Sequence, residues 1–250
     1  MTSREIFQRY ADERKAVTPA GYKADDIRGL TRYTPIRPNL DGIVMFSEHS
    51  ESSIDEAIVI QVEYFKRIDR PFEWKVYDFD VPTDLAVRLE AHGFERGENE
   101  AFMVYDVHAH VPRTRRCDLR IERVAAAAGF RHIAIIQEQV WGKSFPWLET
   151  SLLESLENSA IYCAYIDEAP VGTGWIEFLA GTEFAELHGG SVLFGERGGG
   201  IYSALFDIRV EEAKLRGTKF LAVDAAPMSR PILLKKGFRD VCETLPLRRN

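Results

Sequence analysis

The sequence predicts an α/β fold, helices packed on a sheet, and three observations carry that expectation. Strand-like and helix-like segments alternate along most of the 250 residues. The stretch Val192-Leu193-Phe194-Gly195-Glu196-Arg197-Gly198-Gly199-Gly200-Ile201 runs from a strand through an arginine and three glycines into a helix. A pattern of strand, acidic end, proline, short helix and Gly-Phe occurs twice, from Phe72 to Phe94 and from Lys219 to Phe238. The repeat predicts a duplicated unit, with halves at 1–112 and 113–250.

Residues 4–15 read as a charged helix, and 16–40, with Pro19, Pro35 and Pro38, as irregular chain. A short strand is expected at 42–46. Ser53 opens a helix to Arg67 with acids in its first turn. Alternation predicts a strand at 72–79, and Pro82 starts a second helix that Gly93 stops. A strand at 100–107 precedes a linker at 108–116, where Arg113, Arg115 and Arg116 read as a solvated run. Then follow a strand at 119–124, helices at 131–141 and 147–158, and a hairpin of strands 160–166 and 171–179 around Asp167-Glu168-Ala169-Pro170. Strand 184–194 enters the glycine loop. Helix 201–216 leaves it with Ile201, Leu205, Ile208 and Leu215 on one stripe. Strand 219–224, helix 229–236 and strand 238–243 complete the pattern.

Composition excludes several classes. No apolar run approaches the roughly 18–20 residues that span a bilayer. Residues 1–15 are charged and polar, unlike a signal peptide. Cys117, Cys163 and Cys242 are far apart and without Cys-x-x-Cys spacing, which supports neither a disulfide framework nor a zinc site. A cytoplasmic protein is the expectation, with no membrane partner. The net charge of −7 argues against nucleic acid. From Gly195 to Asn250 the chain carries 11 Lys and Arg against 7 Asp and Glu, a balance of +4 that leaves −11 on residues 1–194. A basic segment beginning at the glycine loop suits an anionic ligand there.

Glycines allow positive φ and close approach, and a helix N-terminus supplies unpaired N–H donors, so the loop is suited to a phosphate. It lacks the Gly-x-Gly-x-x-Gly spacing of dinucleotide folds, and no Gly-Lys-Ser/Thr occurs.

These residues resemble the GNAT superfamily of acyl-CoA N-acyltransferases, whose signature is a strand, (Gln/Arg)-x-x-Gly-x-(Gly/Ala) opening a helix, a further strand and a short helix closing in Gly-Phe. Arg197-Gly198-Gly199-Gly200-Ile201-Tyr202 fits the first four positions, with Tyr202 in the slot of a small residue, and Lys236-Gly237-Phe238 fits the closing motif. The resemblance covers about 118–245. It implies a GNAT-type mixed, mostly antiparallel sheet whose middle strands splay, with a second, partial and degenerate GNAT-like half at the N-terminus, because Ser47 to Ser53 carries no equivalent loop. It further implies acetyl-CoA or coenzyme A as cofactor, pantetheine beside Ser191, Val192 and Leu193, and the pyrophosphate on Arg197, Gly198, Gly199, Gly200, Ile201 and Tyr202. A small-molecule amine is the expected acceptor.

Acyl transfer to an amine needs a base for the amine proton, N–H donors at the thioester carbonyl and an acid for the thiolate. Glu186 shares a strand face with His188, and a carboxylate on that strand is where several family members keep a base; the alternative is an exposed strand glutamate. Glu183 is a weaker candidate. His188 is a candidate base or substrate contact, or a structural histidine. Many relatives place the thiolate's acid where this chain has Leu233. Ser229 could substitute, or serve only as a helix cap; Tyr202 reads as packing beside the cofactor. Trp141, Phe145, Trp147 and Trp175 line either an acceptor pocket or the core. His108 and His110 lack a third metal ligand nearby. Two rivals to a small-amine acetyltransferase remain: a catalytically silent CoA-binding protein, and a protein N-acetyltransferase.

Overall fold

A computed structural model describes residues 1–27, 29–112 and 118–250; Arg113, Arg115, Arg116 and Cys117 lie outside the described residues. In chain order the elements are α1 (Ser3–Lys15), β1 (Tyr22–Asp26), β2 (Thr31–Pro35), β3 (Gly42–Met45), α2 (Ile54–Arg67), β4 (Phe72–Tyr77), α3 (Leu85–Ala91), β5 (Glu95–Arg96) and β6 (Glu100–Asp106). There follow β7 (Arg120–Arg123), α4 (Ala127–Trp141), α5 (Leu148–Glu154), β8 (Ser159–Ile166), β9 (Ala169–Phe178) and β10 (Phe184–Val192). The last are α6 (Ile201–Leu215), β11 (Phe220–Ala225), α7 (Arg230–Lys236) and β12 (Arg239–Arg249).

The chain forms two compact units, Met1–Val104 with Asp224–Asn250, and Tyr105–Val223. Their limits differ from the expected division at 112/113. The reason is β12, which pairs antiparallel with β4, β5 and β6 and so joins the first unit.

The first unit has strand order β1-β2-β3-β4-β12-β6. Its pairs are antiparallel except β3 with β4, which run parallel from Gly42↔Phe72 to Met45↔Lys75. α1 begins on a capping box in which Thr2 and Glu5 satisfy each other's backbone N–H groups. α2 and α3 bury Ile54, Ile58, Phe65, Leu85 and Leu89 against Val44, Phe72, Trp74 and Leu247. The β1–β2 hairpin occupies chain expected to be irregular. Its residues Tyr-Lys-Ala-Asp-Asp and Thr-Arg-Tyr-Thr-Pro are too polar for a strand pattern, yet Thr31, Arg32 and Tyr33 are buried. Arg32 bonds Asp25 there and lies on the Tyr64 ring. β12 also outruns its expected end at 243, because Leu245 and Leu247 are buried on either side of Pro246.

The second unit has order β11-β10-β9-β8-β7, again antiparallel except for one parallel pair, β10 with β11. α4 and α5 pack one face through Phe130, Ile133, Ile136, Leu148 and Leu152, meeting Ile161, Cys163 and Tyr165. The opposite face receives α6. Gly172 and Gly174 of β9 bring that helix close: a Cβ on Gly172 would lie 2.9 Å from Ile201, and one on Gly174 2.9 Å from Arg209.

The two parallel pairs behave differently at their ends. In the second unit, pairing of β10 with β11 stops at Glu186↔Ala222, while β10 runs on to Val192. In the first unit the pairing continues past β3 and β4, with Val81 N–H donating to the Ser47 carbonyl and a Glu48↔Val81 bridge. The Ser47 hydroxyl adds a bond to the Val81 carbonyl. Asp80, buried between them, accepts from the backbone N–H groups of Tyr77 and Ser47.

Candidate active site around β10

β10 collects the site because its regular alternation breaks once. Between His188 and Ser191 the register with β9 shifts, leaving Gly189 and Gly190 as a bulge. Gly189 takes φ of +58°, and a Cβ there would sit 1.7 Å from the Trp175 ring, so only glycine fits. Gln137 of α4 fastens the bulge. Its Nε2 donates to the Gly189 carbonyl at 2.7 Å, while its Oε1 accepts from the Ser191 hydroxyl at 3.1 Å and from Trp141 Nε1 at 2.9 Å.

Before the bulge, period-2 alternation places Glu186 and His188 on one face, the face of α4. Register adds two residues of β9: Glu177 opposite Glu186, and Trp175 opposite His188. His188 Nε2 lies 3.6 Å from Glu186 Oε2 and 3.8 Å from Glu177 Oε2, and its ring stacks on Trp175. Glu186 is the more enclosed carboxylate, its side chain 15% exposed against 29% for Glu177. Glu177 was missed by sequence reasoning, since only the register across the hairpin reveals it. Glu183, the weaker candidate, lies before β10 and pairs with Lys219.

After the bulge, Ser191 turns its hydroxyl to Gln137, and Leu193 N–H bonds the Val171 carbonyl of β9. The Val192 carbonyl, on the other edge, accepts from Arg197 Nε at 3.2 Å. The chain then makes a short 3-10 turn at Phe194–Glu196 and an exposed loop through Arg197 to Gly200. Gly198 and Gly200 have φ of +82° and +83°, and a Cβ on either would meet open space. Glycine is required here for backbone conformation, and the bare surface lets an anion reach the N–H groups. The first turn of α6 leaves the N–H groups of Ile201, Tyr202 and Ser203 without helical acceptors. Arg197, Gly198, Gly199, Gly200, Ile201 and Tyr202 therefore form a loop and helix start that could hold a diphosphate. The chain's own groups fit such a ligand by conformation, exposure and dipole.

Tyr202 packs against the bulge, with its Cε2 3.0 Å from where a Gly190 Cβ would be. Arg209, wholly buried beneath β9, donates to the Leu205 and Trp175 carbonyls. Burial pulls its pKa down, and the Tyr202 hydroxyl beside it partly restores the charged form.

Trp141, Phe145, Trp147 and Trp175 do converge. With Gln137, Lys143, Leu148 and Gly189 they line a cavity of about 290 Å³ adjoining the bulge.

A sheet with one parallel pair opening beside a bulged strand, which leads through a glycine loop into a helix, can be matched to solved structures. The whole chain superposes on a GCN5-related N-acetyltransferase from Kribbella flavida with TM-score 0.75, covering 99% of this chain and 95% of that one at 13% identity. The chain has the GNAT fold. A GCN5-related N-acetyltransferase from Sphaerobacter thermophilus matches with TM-score 0.64 at 16% identity, over 88% of this chain and 76% of that one. A tandem GNAT protein from the clavulanic acid biosynthesis pathway matches with TM-score 0.63 at 14% identity, over 94% and 85%. No family model matches the chain, and no curated protein matches its sequence.

Ser229, a candidate for the thiolate's acid, and Leu233, at the position where relatives place that acid, belong to the first unit and not to the one that holds β10. Ser229 is the N-cap of α7 in the first unit, where its hydroxyl makes no capping bond. Leu233 is buried in the same helix. No helix among the described residues is long and apolar enough to cross a membrane.

Proposed function

We propose that this chain is an acyl-CoA-dependent N-acyltransferase that moves an acetyl group from acetyl-CoA to the amine of a small molecule. The observation that carries the reading is the composition of β10 itself. One strand brings a carboxylate and histidine pair, a bulge, an unpaired edge and an anion-ready loop into one continuous run.

Acetyl-CoA, when bound, supplies an activated acyl carbon and a thiolate leaving group. The chain's residues supply the rest. Gly198, Gly200, Ile201 and Tyr202 offer backbone N–H groups to the diphosphate, with the positive end of the α6 dipole behind them. Beyond its pairing with β11, the edge of β10 from Gly190 to the Val192 N–H offers backbone groups to the amides of an extended ligand, as a missing strand would use them, the Val192 carbonyl being engaged by Arg197. Bulge N–H groups are the donors available to a carbonyl oxygen as negative charge develops. An amine enters as ammonium and must lose a proton before attack. Glu186, the more enclosed of the two carboxylates that flank His188, takes the amine proton directly or through water.

Leu233 supports one rival, a protein that binds CoA without turnover, because an aliphatic core residue replaces the usual acid. One experiment separates the readings. Calorimetry with acetyl-CoA should give one site in the micromolar range, lost in Gly199→Glu, whose carboxylate would oppose the diphosphate. CoA release with an amine panel should then fall about 10²-fold or more in Glu186→Gln, the range typical of general-base loss. Absence of acetyl-CoA binding in a folded chain would refute the proposal. Binding with no release from any amine would establish the silent alternative.

A further inference from the structure

We infer that the acceptor is a primary amine carried on an aromatic or branched hydrocarbon body, and that the cavity beside the β10 bulge receives that body. The inference rests on the acyltransferase reading and names its substrate class.

The cavity's size sets the first limit. About 290 Å³ is at the small end of ligand pockets, which run from roughly 300 to 1,000 Å³, so it suits one ring or a short branched chain. A peptide segment or an oligosaccharide would not enter.

Its chemistry sets the second limit. The walls are the rings of Trp141, Phe145, Trp147 and Trp175, the Leu148 side chain and the bare Gly189 backbone. Gln137 and Lys143 are the polar wall residues, and Gln137 is already engaged: Nε2 holds the Gly189 carbonyl, and Oε1 accepts from Ser191 and Trp141. The Trp141 indole N–H is spent on the same bond. A hydroxyl-rich amine would therefore give up water and find only the Lys143 ammonium as a partner, a loss of roughly tenfold or more in affinity for each further hydroxyl so buried. A hydrocarbon body faces no such cost and gains the area of Trp141 and Trp147, each of which stands about half exposed.

Charge sets the direction. Lys143 lies over the Phe145 ring at 5.3 Å, placing a cation at the pocket wall that disfavours a second ammonium there. The opposite pole is negative. Trp175, shared by the cavity and the catalytic face, stacks on His188, and Glu177 and Glu186 flank that ring. A ligand with one apolar end and one ammonium end is thereby oriented with its nitrogen toward Glu186.

The test uses the full chain and four defined amines: phenethylamine, isopentylamine, glucosamine and spermidine. Binding is read from intrinsic tryptophan fluorescence, and turnover from CoA release. Phenethylamine and isopentylamine should bind at least tenfold more tightly than glucosamine and spermidine, with kcat/KM higher by a similar factor. Trp147→Ala should lose at least tenfold in phenethylamine affinity while acetyl-CoA still binds, and Trp147→Phe should recover most of the loss. Should Trp147→Ala fold poorly, Trp147→Phe with Leu148→Ala carries the same comparison. Equal or tighter binding of glucosamine or spermidine would overturn the inference while leaving the acyltransferase reading intact. Failure of acetyl-CoA to bind would overturn both, and calorimetry detects it independently of any amine.

Discussion

Gln137→Leu tests whether one side chain of α4 holds the geometry of the bulge. Leucine nearly matches glutamine in volume, so the substitution removes hydrogen bonds while leaving little cavity. Gln137 is 4% exposed, and three groups depend on it. The Trp141 indole is half exposed and can turn to water. The Gly189 carbonyl loses its donor, and the Ser191 hydroxyl, on a residue 4% exposed, loses its acceptor. A buried polar group left unsatisfied costs about 1–3 kcal/mol, so two cost about 2–6 kcal/mol. For a chain of this size each kcal/mol lowers Tm by about 2–4 °C, which predicts a fall of roughly 4–24 °C. Thermal unfolding followed by circular dichroism measures it. If the bulge also presents the N–H donors used in the reaction, CoA release should drop in kcat more than the KM for acetyl-CoA rises, because the lost interaction matters most as charge develops. A stability change below about 1 kcal/mol with an unchanged kcat would refute the reasoning: the two glycines would then hold the bulge unaided.

Two further predictions concern the first unit. Burial pushes the Asp80 carboxyl up to about 7, against the opposing pull of N–H bonds from Tyr77 and Ser47. Its folded pKa lies above its unfolded value, so its contribution to stability is fully present below about pH 4 and is lost as pH rises through 7. A shift of this size corresponds to roughly 4 kcal/mol in all, about 3 of them between pH 5 and 8. Urea unfolding at both pH values should show that loss in the native chain and a flatter dependence in Asp80→Asn; parallel curves would refute it. Separately, the continued pairing of Ser47 and Glu48 with Val81 leaves no opening beside β3 comparable to that beside β10. Calorimetry should therefore find one acetyl-CoA per chain, and two equivalent sites would contradict the contrast.

The parts of this molecule legible in the sequence are those set by local backbone chemistry. Glycines at positive φ announce the loop, and period-2 alternation puts Glu186 and His188 on one face without reference to the rest of the fold. The four aromatic residues of the cavity could be named, though core and pocket read alike until α4, α5 and β9 are assembled. What escaped depends on pairing between distant segments. Glu177 reaches His188 only through the register of β9 and β10. Gln137 is an unexceptional polar residue until α4 is laid over the bulge. The β1–β2 hairpin is polar in pattern, because Asp25 and the Tyr64 ring compensate Arg32, a compensation invisible along the chain. The allegiance of β12 was hidden for the same reason: its partners β4, β5 and β6 lie well over a hundred residues away.

That last pairing has a consequence for how the chain is made. Tyr77 meets Thr244 and Phe72 meets Arg249, so the first unit is interrupted by the whole of the second. On a ribosome adding roughly 5–20 residues per second, β4 stands for about 10–30 s with one edge lacking its β12 partner while the intervening residues emerge. Phe72, Trp74 and Tyr77, all buried in the finished molecule, lie on that waiting strand. The inserted unit can meanwhile complete its own β7–β11 ladder, so the later-made half of the chain is the first able to fold. A cell that makes this protein must shield one sticky strand edge for that interval, and cutting the gene between the two halves would make the exposure permanent.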